Sequence, residues 1–134
     1  MATRKKTYFY AVGRRRAAVV TVKLFGGQDS STVNKTALEK YFPGQTFKDI
    51  YTQPFLVTKS QKKYCFQAKA SGGGKKGQVE ALALAIARTL LLASPDFKPA
   101  LRQAGLLTVD SRVRQRRMVG TGGKARRKKQ SPKR

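Results

Sequence analysis

The chain has 134 residues, 40% of them hydrophobic, which suffices for one modest core and not for two. Thirty Lys and Arg against six Asp and Glu leave a net charge of +24, far more than solubility requires, so the expected partner is a polyanion, nucleic acid first. With no histidine and only Cys65 among cysteines, zinc fingers, histidine acid–base pairs, Cys–His nucleophiles and an internal disulfide are excluded, and six scattered acids offer no paired-carboxylate site.

No cofactor, metal, small-molecule substrate or enzymatic activity is therefore expected. The one long apolar block is interrupted by Arg88 and falls short of the roughly 20 residues a membrane span needs, so no membrane partner is expected either. Met1 to Lys6 carries basic residues with no apolar stretch behind it, so no secretory signal is read and the protein is expected to stay where it is made, in the cytoplasm.

In chain order, Tyr8 to Val12 alternates around Phe9 and Ala11, and Ala18, Val20, Val22 and Leu24 share one face of a second period-two run. Two adjacent strands follow from this. Between them Gly13, Arg14, Arg15 and Arg16 read as a glycine turn that projects three arginines from the sheet edge toward phosphates. Thr32-Val33 is a short strand candidate, and Asn34 is placed to cap a helix from Lys35 to Phe42 that Pro43-Gly44 stops. Thr46 to Tyr51 reads as a further helical turn, and Pro54 opens a strand over Phe55 to Thr58. Lys59 to Lys63 is a charged turn, and Tyr64 to Ala70 alternates as a strand returning beside the previous one. Cys65 within it reads as a small buried hydrophobe.

Gly72-Gly73-Gly74-Lys75-Lys76-Gly77-Gln78 then opens the apolar block Val79 to Ala93, whose Ala/Leu composition marks a helix buried on most faces. Glu80 is expected in its first turn, at the positive end of the dipole. The glycines match three motifs in part, and each fails in context. A P-loop needs Lys then Ser or Thr where Gln78-Val79 stand; a dinucleotide fold needs a second strand ending in an acid; and a KH clamp joins two helices, whereas a strand precedes this loop. A tight strand-to-helix turn is the structural use of the glycines. The helix start beside Lys75 and Lys76 also suits a phosphate of a larger RNA.

Beyond it, Ser94 or Asp96 caps a second helix carrying Phe97, Leu101 and Ala104, with Pro99 in its first turn and Gly105 at its end. From Arg112 to Arg134 stand eleven basic residues, no acid and three glycines, too little apolar surface for a core. The chain thus divides at 1–111, a globular RNA-binding unit, and 112–134, a basic tail expected to be unstructured without RNA. Candidate RNA contacts are Arg14, Arg15, Arg16, Lys75 and Lys76 in the folded part and Arg112, Arg114, Arg116, Arg117, Lys124, Arg126, Arg127, Lys128 and Lys129 in the tail.

The sum is an α+β unit, a small mixed sheet with helices packed on it, followed by a long basic extension. Tyr10-Ala11-Val12-Gly13-Arg14-Arg15-Arg16, Gly72-Gly73-Gly74-x-x-Gly77-Gln78-x-x-Ala81 and Gly123-Lys124-Ala125-Arg126-Arg127 with terminal Lys133-Arg134 together resemble small-subunit ribosomal protein nine over nearly the whole chain. The resemblance implies a four-stranded mixed sheet containing a left-handed βαβ crossover, against the usual right-handed rule. It implies a place on the small-subunit head among neighbouring head proteins, bound to ribosomal RNA, with the tail reaching the P-site transfer RNA through Lys133 and Arg134. Two departures stand out. Gln130-Ser131-Pro132-Lys133-Arg134 lacks the aromatic that the family commonly has after glutamine, and Thr89 follows Arg88 where a smaller or aliphatic residue is preferred. The rivals are a general nucleic-acid-binding basic protein outside the ribosome, which would share the charge without needing the buried glycine-loop helix, and a nucleotide-dependent or RNA-modifying enzyme, which rests on the glycine loop alone.

Overall fold

The computed structural model describes residues 7–120. One mixed sheet of five strands carries helices on one face. Strand β1 (Phe9–Arg15) pairs antiparallel with β2 (Ala18–Gly26), and β2 pairs antiparallel with β5 (Tyr64–Ser71). Short β3 (Thr32–Val33) lies parallel to β5 and antiparallel to β4 (Thr36–Ala37), so the order is β1-β2-β5-β3-β4. The parallel neighbours β3 and β5 are joined through β4, α1 (Leu38–Tyr41) and α2 (Gln45–Val57). Five strands replace the expected four because the chain turns back after Val33 instead of entering a helix.

The reason lies at Asn34 and Lys35, with φ of 50° and 65°, the left-handed pair of a two-residue hairpin turn. Asn34 is thus not a helix cap. Its amide donates to the Ala70 carbonyl and its side-chain oxygen accepts from the Ala70 N–H, both at 2.9 Å, which ties the turn to the end of β5. Only Leu38–Tyr41 of the expected Lys35 to Phe42 helix is helical.

The expected strand over Phe55 to Thr58 is instead the end of α2. Phe47, Ile50, Tyr51, Pro54 and Phe55 recur at helical spacing, and Tyr51, Pro54 and Phe55 are buried. Pro54 removes one backbone donor, but it stands in the last turn, and its own carbonyl accepts from both the Thr58 N–H and the Thr58 hydroxyl. With no strand there, β5 returns beside β2 and β3.

Helix α3 (Lys75–Ala93) is the centre of the core. Eleven of its nineteen residues are buried, Val79, Leu82, Ile86 and Leu90 completely. Ala18, Val20, Val22 and Leu24 face it from β2, as their alternation predicts. It approaches the sheet closely at Gly13, where a Cβ would stand 1.9 Å from the Ala81 carbonyl oxygen and 2.7 Å from the Ala85 nitrogen. Gly13 therefore belongs to the strand and not to the turn. Glycine on the strand and alanines on the helix let two backbones touch. Arg88 reaches over the same strand, its guanidinium 2.7 Å from the Val12 carbonyl. A 3-10 turn (Pro95–Phe97) leads into α4 (Lys98–Gln103), which buries Leu101, with Pro99 in the first turn and Gly105 at φ +71° after the end. Ser94 and Asp96 make no capping hydrogen bond. Residues 112–118 form no helix or strand and are exposed.

Candidate nucleic-acid interface

The turn between β1 and β2 is Arg16-Ala17, Arg16 having φ 54°. It packs directly on the glycine loop. A Cβ on Gly72 (φ +72°) would meet the Ala17 carbonyl oxygen at 2.4 Å, and one on Gly73 (φ +60°) would stand 3.2 Å from the Ala18 Cβ and nitrogen. Gly74 leads into α3 in extended conformation with open space around it. Helix α3 begins at Lys75, four residues before the expected Val79, so Lys75 and Lys76 form its first turn and Glu80 lies beyond it.

Glu80 instead meets Arg15, whose Nε donates to a Glu80 carboxylate oxygen at 2.7 Å. The Arg15 side chain is 10% exposed, folded inward and not projected with its neighbours. Its remaining donors reach the chain beyond α4: the Arg112 carbonyl at 2.9 Å, the Asp110 carbonyl at 3.4 Å and the Asp110 carboxylate at 3.3 Å. Asp110 also accepts from the Arg112 N–H and guanidinium, the shortest contact being 2.7 Å. These bonds, led by the Arg112 side chain, hold the Asp110 carboxyl far below the usual carboxylate range, and Asp110 in turn raises the Arg112 guanidinium. The root of the basic segment is thereby fixed beside the hairpin.

Lys75 is also engaged. Its Nζ donates to the Tyr41 carbonyl at 3.0 Å and stands 3.3 Å from the centroid of the Tyr41 ring. The Tyr41 hydroxyl donates to Gln78 Oε1 at 2.8 Å, and Gln78 Nε2 donates to the Gly72 carbonyl at 3.0 Å. Gln78, 8% exposed, thus bolts the glycine loop to α1.

Three basic segments separate in sequence therefore converge at one end of the sheet: the hairpin tip, the start of α3 and the chain from Asp110 onward. Within them Arg14, Arg16 and Lys76 are exposed and form no ion pair among the described residues, whereas Arg15, Lys75 and Arg112 have protein partners. Arg114, Arg116 and Arg117 are exposed as the chain leaves the sheet. Lys124, Arg126, Arg127, Lys128, Lys129, Lys133 and Arg134 lie outside the described residues. Among those described, no group of three or more metal-ligating side chains occurs, and no helix is long and apolar enough to cross a membrane. Sequence reading passed over the cations of the sheet face opposite the helices, Lys23 and Lys69. The signal was present, since both occupy polar positions of alternating runs.

The model of the ribosomal protein S9/S16 family matches residues 13–134. The small ribosomal subunit protein uS9 of two Porphyromonas gingivalis strains is 45% identical over 127 residues, 95% of this chain and 98% of the relative. That of Amoebophilus asiaticus is 40% identical over 110 residues, 82% of this chain and 86% of the relative.

Proposed function

The chain belongs to the ribosomal protein S9/S16 family, and from that premise we propose that it binds the ribosomal RNA of the small-subunit head through the basic end of its sheet and sends its last residues to the P-site transfer RNA. Membership makes it a structural component of the small ribosomal subunit and not an enzyme. The observation that carries the RNA contact is the convergence just described. Exposed Arg14, Arg16 and Lys76 surround a helix start whose free N–H groups favour anions, and the basic segment leaves from the same place, pinned by Arg15. Residues 1–111 are the anchoring unit and 112–134 the extension. Neighbouring proteins of the subunit head complete its surroundings, and the crossover between β3 and β5 takes the left-handed sense of the family.

The experiment is a pair of truncations. Deleting Arg112 to Arg134 is expected to flatten the salt dependence of RNA binding by roughly 0.7 per lost single-strand phosphate contact. An unchanged slope assigns the contacts to the folded unit alone. Deleting only Lys133 and Arg134 is expected to leave subunits intact while transfer RNA leaves the P site faster, since one charge-assisted phosphate contact contributes about 1.5–3 kcal/mol where water is excluded. Arg134→Lys recovers part of the loss and Arg134→Glu exceeds it. Equal off-rates for all four chains refute the transfer RNA contact.

A further inference from the structure

The face of the sheet opposite the helices carries side chains that none of the described helices covers. Strand register places Tyr10 beside Lys23, Thr21 beside Lys69 and Lys23 beside Gln67 on that face, with Thr32 beside Gln67. Above them lies a concave space of about 760 Å³, bounded on the far side by the left-handed turn at Asn34 and Lys35. Among the described residues its walls hold Lys23, Lys35 and Lys69 and no carboxylate. Three lysines gathered without an acid repel one another, and the surface is at its most stable when anions lie across it.

Two tyrosines stand beside Lys23, outside the lining of this space: Tyr10 is its register neighbour on β1, and the Tyr8 ring lies near its ammonium. The Tyr8 ring packs against Phe25 at 5.7 Å between centroids, and Lys23 Nζ stands 5.0 Å from its centre. Tyr10 is 49% exposed and makes no ring contact among the described residues. An exposed ring beside a row of lysines, on a concave sheet face, is what successive unpaired nucleotides require: phosphates tracked by cations and a base laid on a π-face. A duplex offers the reverse, with its bases hidden and its phosphates on a convex surface. Arg14 follows Tyr10 and Val12 on the same face by alternation, so the surface runs without a break into the basic hairpin tip.

We propose that this open sheet face is a second RNA-contact surface, one that takes an unpaired stretch of RNA, with phosphates along Lys23, Lys35 and Lys69 and a base stacked on Tyr10. The inference rests on the ribosomal reading above and names the kind of RNA one face of the protein receives.

The test uses the full chain, titrated with single-stranded oligouridylate and with an RNA hairpin of equal charge over a range of salt. Lys23→Ala/Lys69→Ala is expected to lower the single-strand salt slope by about 1.4, two contacts at roughly 0.7 each, while Lys23→Arg/Lys69→Arg keeps it. Tyr10→Ala is expected to weaken single-strand binding about five-fold or more and to leave hairpin binding unchanged. All these side chains are exposed, so melting temperatures should match the parent and the comparison is one of binding. Equal slopes and affinities for parent and variants overturn the proposal. So do equal losses on single strand and hairpin, which mark plain charge attraction without stacking. Cosedimentation with small subunits separates the premise from the inference. If the parent enters subunits and the variants bind oligouridylate as it does, only this surface is wrong. If the parent does not enter subunits, the ribosomal reading fails and the titration still decides the surface. Variants with normal oligouridylate binding whose subunits lack a neighbouring protein show a protein dock and overturn the RNA assignment.

Discussion

The two basic regions of the folded unit use their cations in opposite ways. At the hairpin end, Arg15 binds Glu80, Asp110 and the Arg112 carbonyl, and Lys75 lies on the Tyr41 ring, so part of the charge that sequence assigns to RNA holds the protein together. On the open sheet face, Lys23, Lys35 and Lys69 border a space that no carboxylate among the described residues lines. The ring contact there is the looser one of Lys23 with Tyr8, 5.0 Å from its centroid against 3.3 Å for Lys75 on Tyr41. The difference teaches that a net charge of +24 counts cations and not ligand contacts. Where acids and aromatic rings are placed decides which cations remain for a partner.

The first way to break the comparison is to attack the backbone contacts that make the hairpin end structural. Gly13→Ala has the largest expected effect, because its Cβ would meet helix backbone and not a flexible side chain. Overpacking of this kind costs about 3 kcal/mol or more, a large share of the roughly 5–15 kcal/mol that holds a domain folded. Chemical denaturation reads it, and a stability equal to the parent would mean that α3 does not approach β1 as described. The glycine loop should follow in graded order. Gly72→Ala combines positive φ with a backbone clash and costs about 1–3 kcal/mol, Gly73→Ala costs about 1 kcal/mol, and Gly74→Ala stays within roughly 0.5 kcal/mol. Equal costs at all three would show a loop that is merely flexible.

A sharper version sets adjacent arginines against each other. Arg15→Ala leaves Glu80 half-buried without its partner and frees the chain at Arg112, so it should cost about 1–3 kcal/mol. Arg14→Ala should change stability by no more than about 0.5 kcal/mol while lowering the salt slope of RNA binding by about 0.7. Melting and RNA titration on the two variants decide it. If both arginines affect both quantities alike, the hairpin end is not divided between structure and ligand.

These divisions also mark how far the sequence could be read. The first hairpin, the return strand over Tyr64 to Ala70 and the buried α3 were legible, because period-two and all-round apolar patterns report the local backbone directly. Helix α2 was legible only in its first half, Thr46 to Tyr51, and its continuation was missed although Phe47, Ile50, Tyr51, Pro54 and Phe55 carry helical spacing, because Pro54 outweighs period as a local signal. Asn34 was read as a cap because its side chain serves caps and left-handed turns equally; the choice is made by Ala70, thirty-six residues away. The role of Arg15 was illegible for the same reason, since nothing near it in sequence announces Glu80, sixty-five residues on, or Asp110. Arg14, Arg15 and Arg16 are alike as letters, and strand alternation together with distant acids makes them different.

The smallest expected effect is the pH response of the contact at Asp110. Its carboxylate is stabilised in the folded chain by the N–H and guanidinium of Arg112 and by Arg15, so it gives up its charge at lower pH folded than unfolded. A depressed carboxyl contributes stability that is fully present above the unfolded value of about 4 and is lost as pH falls below it toward the folded value. Stability at neutral pH therefore includes this contribution, and acid removes it by protonating Asp110, not by discharging either arginine. Arg112 is 85% exposed and the Asp110 side chain 34%, so water and salt weaken the attraction and the effect should shrink as ionic strength rises. Other carboxylates titrate over the same range, which makes the informative quantity the difference between the parent and Asp110→Asn. In low salt the parent is expected to be the more stable at neutral pH, with the two converging as the pH is lowered below about 4. In high salt the gap at neutral pH should narrow. Curves that stay parallel from neutral to acid pH would mean that the Asp110 contacts do not hold the root of the basic segment in solution, and the hairpin end would then keep only Glu80 as the carboxylate partner of Arg15.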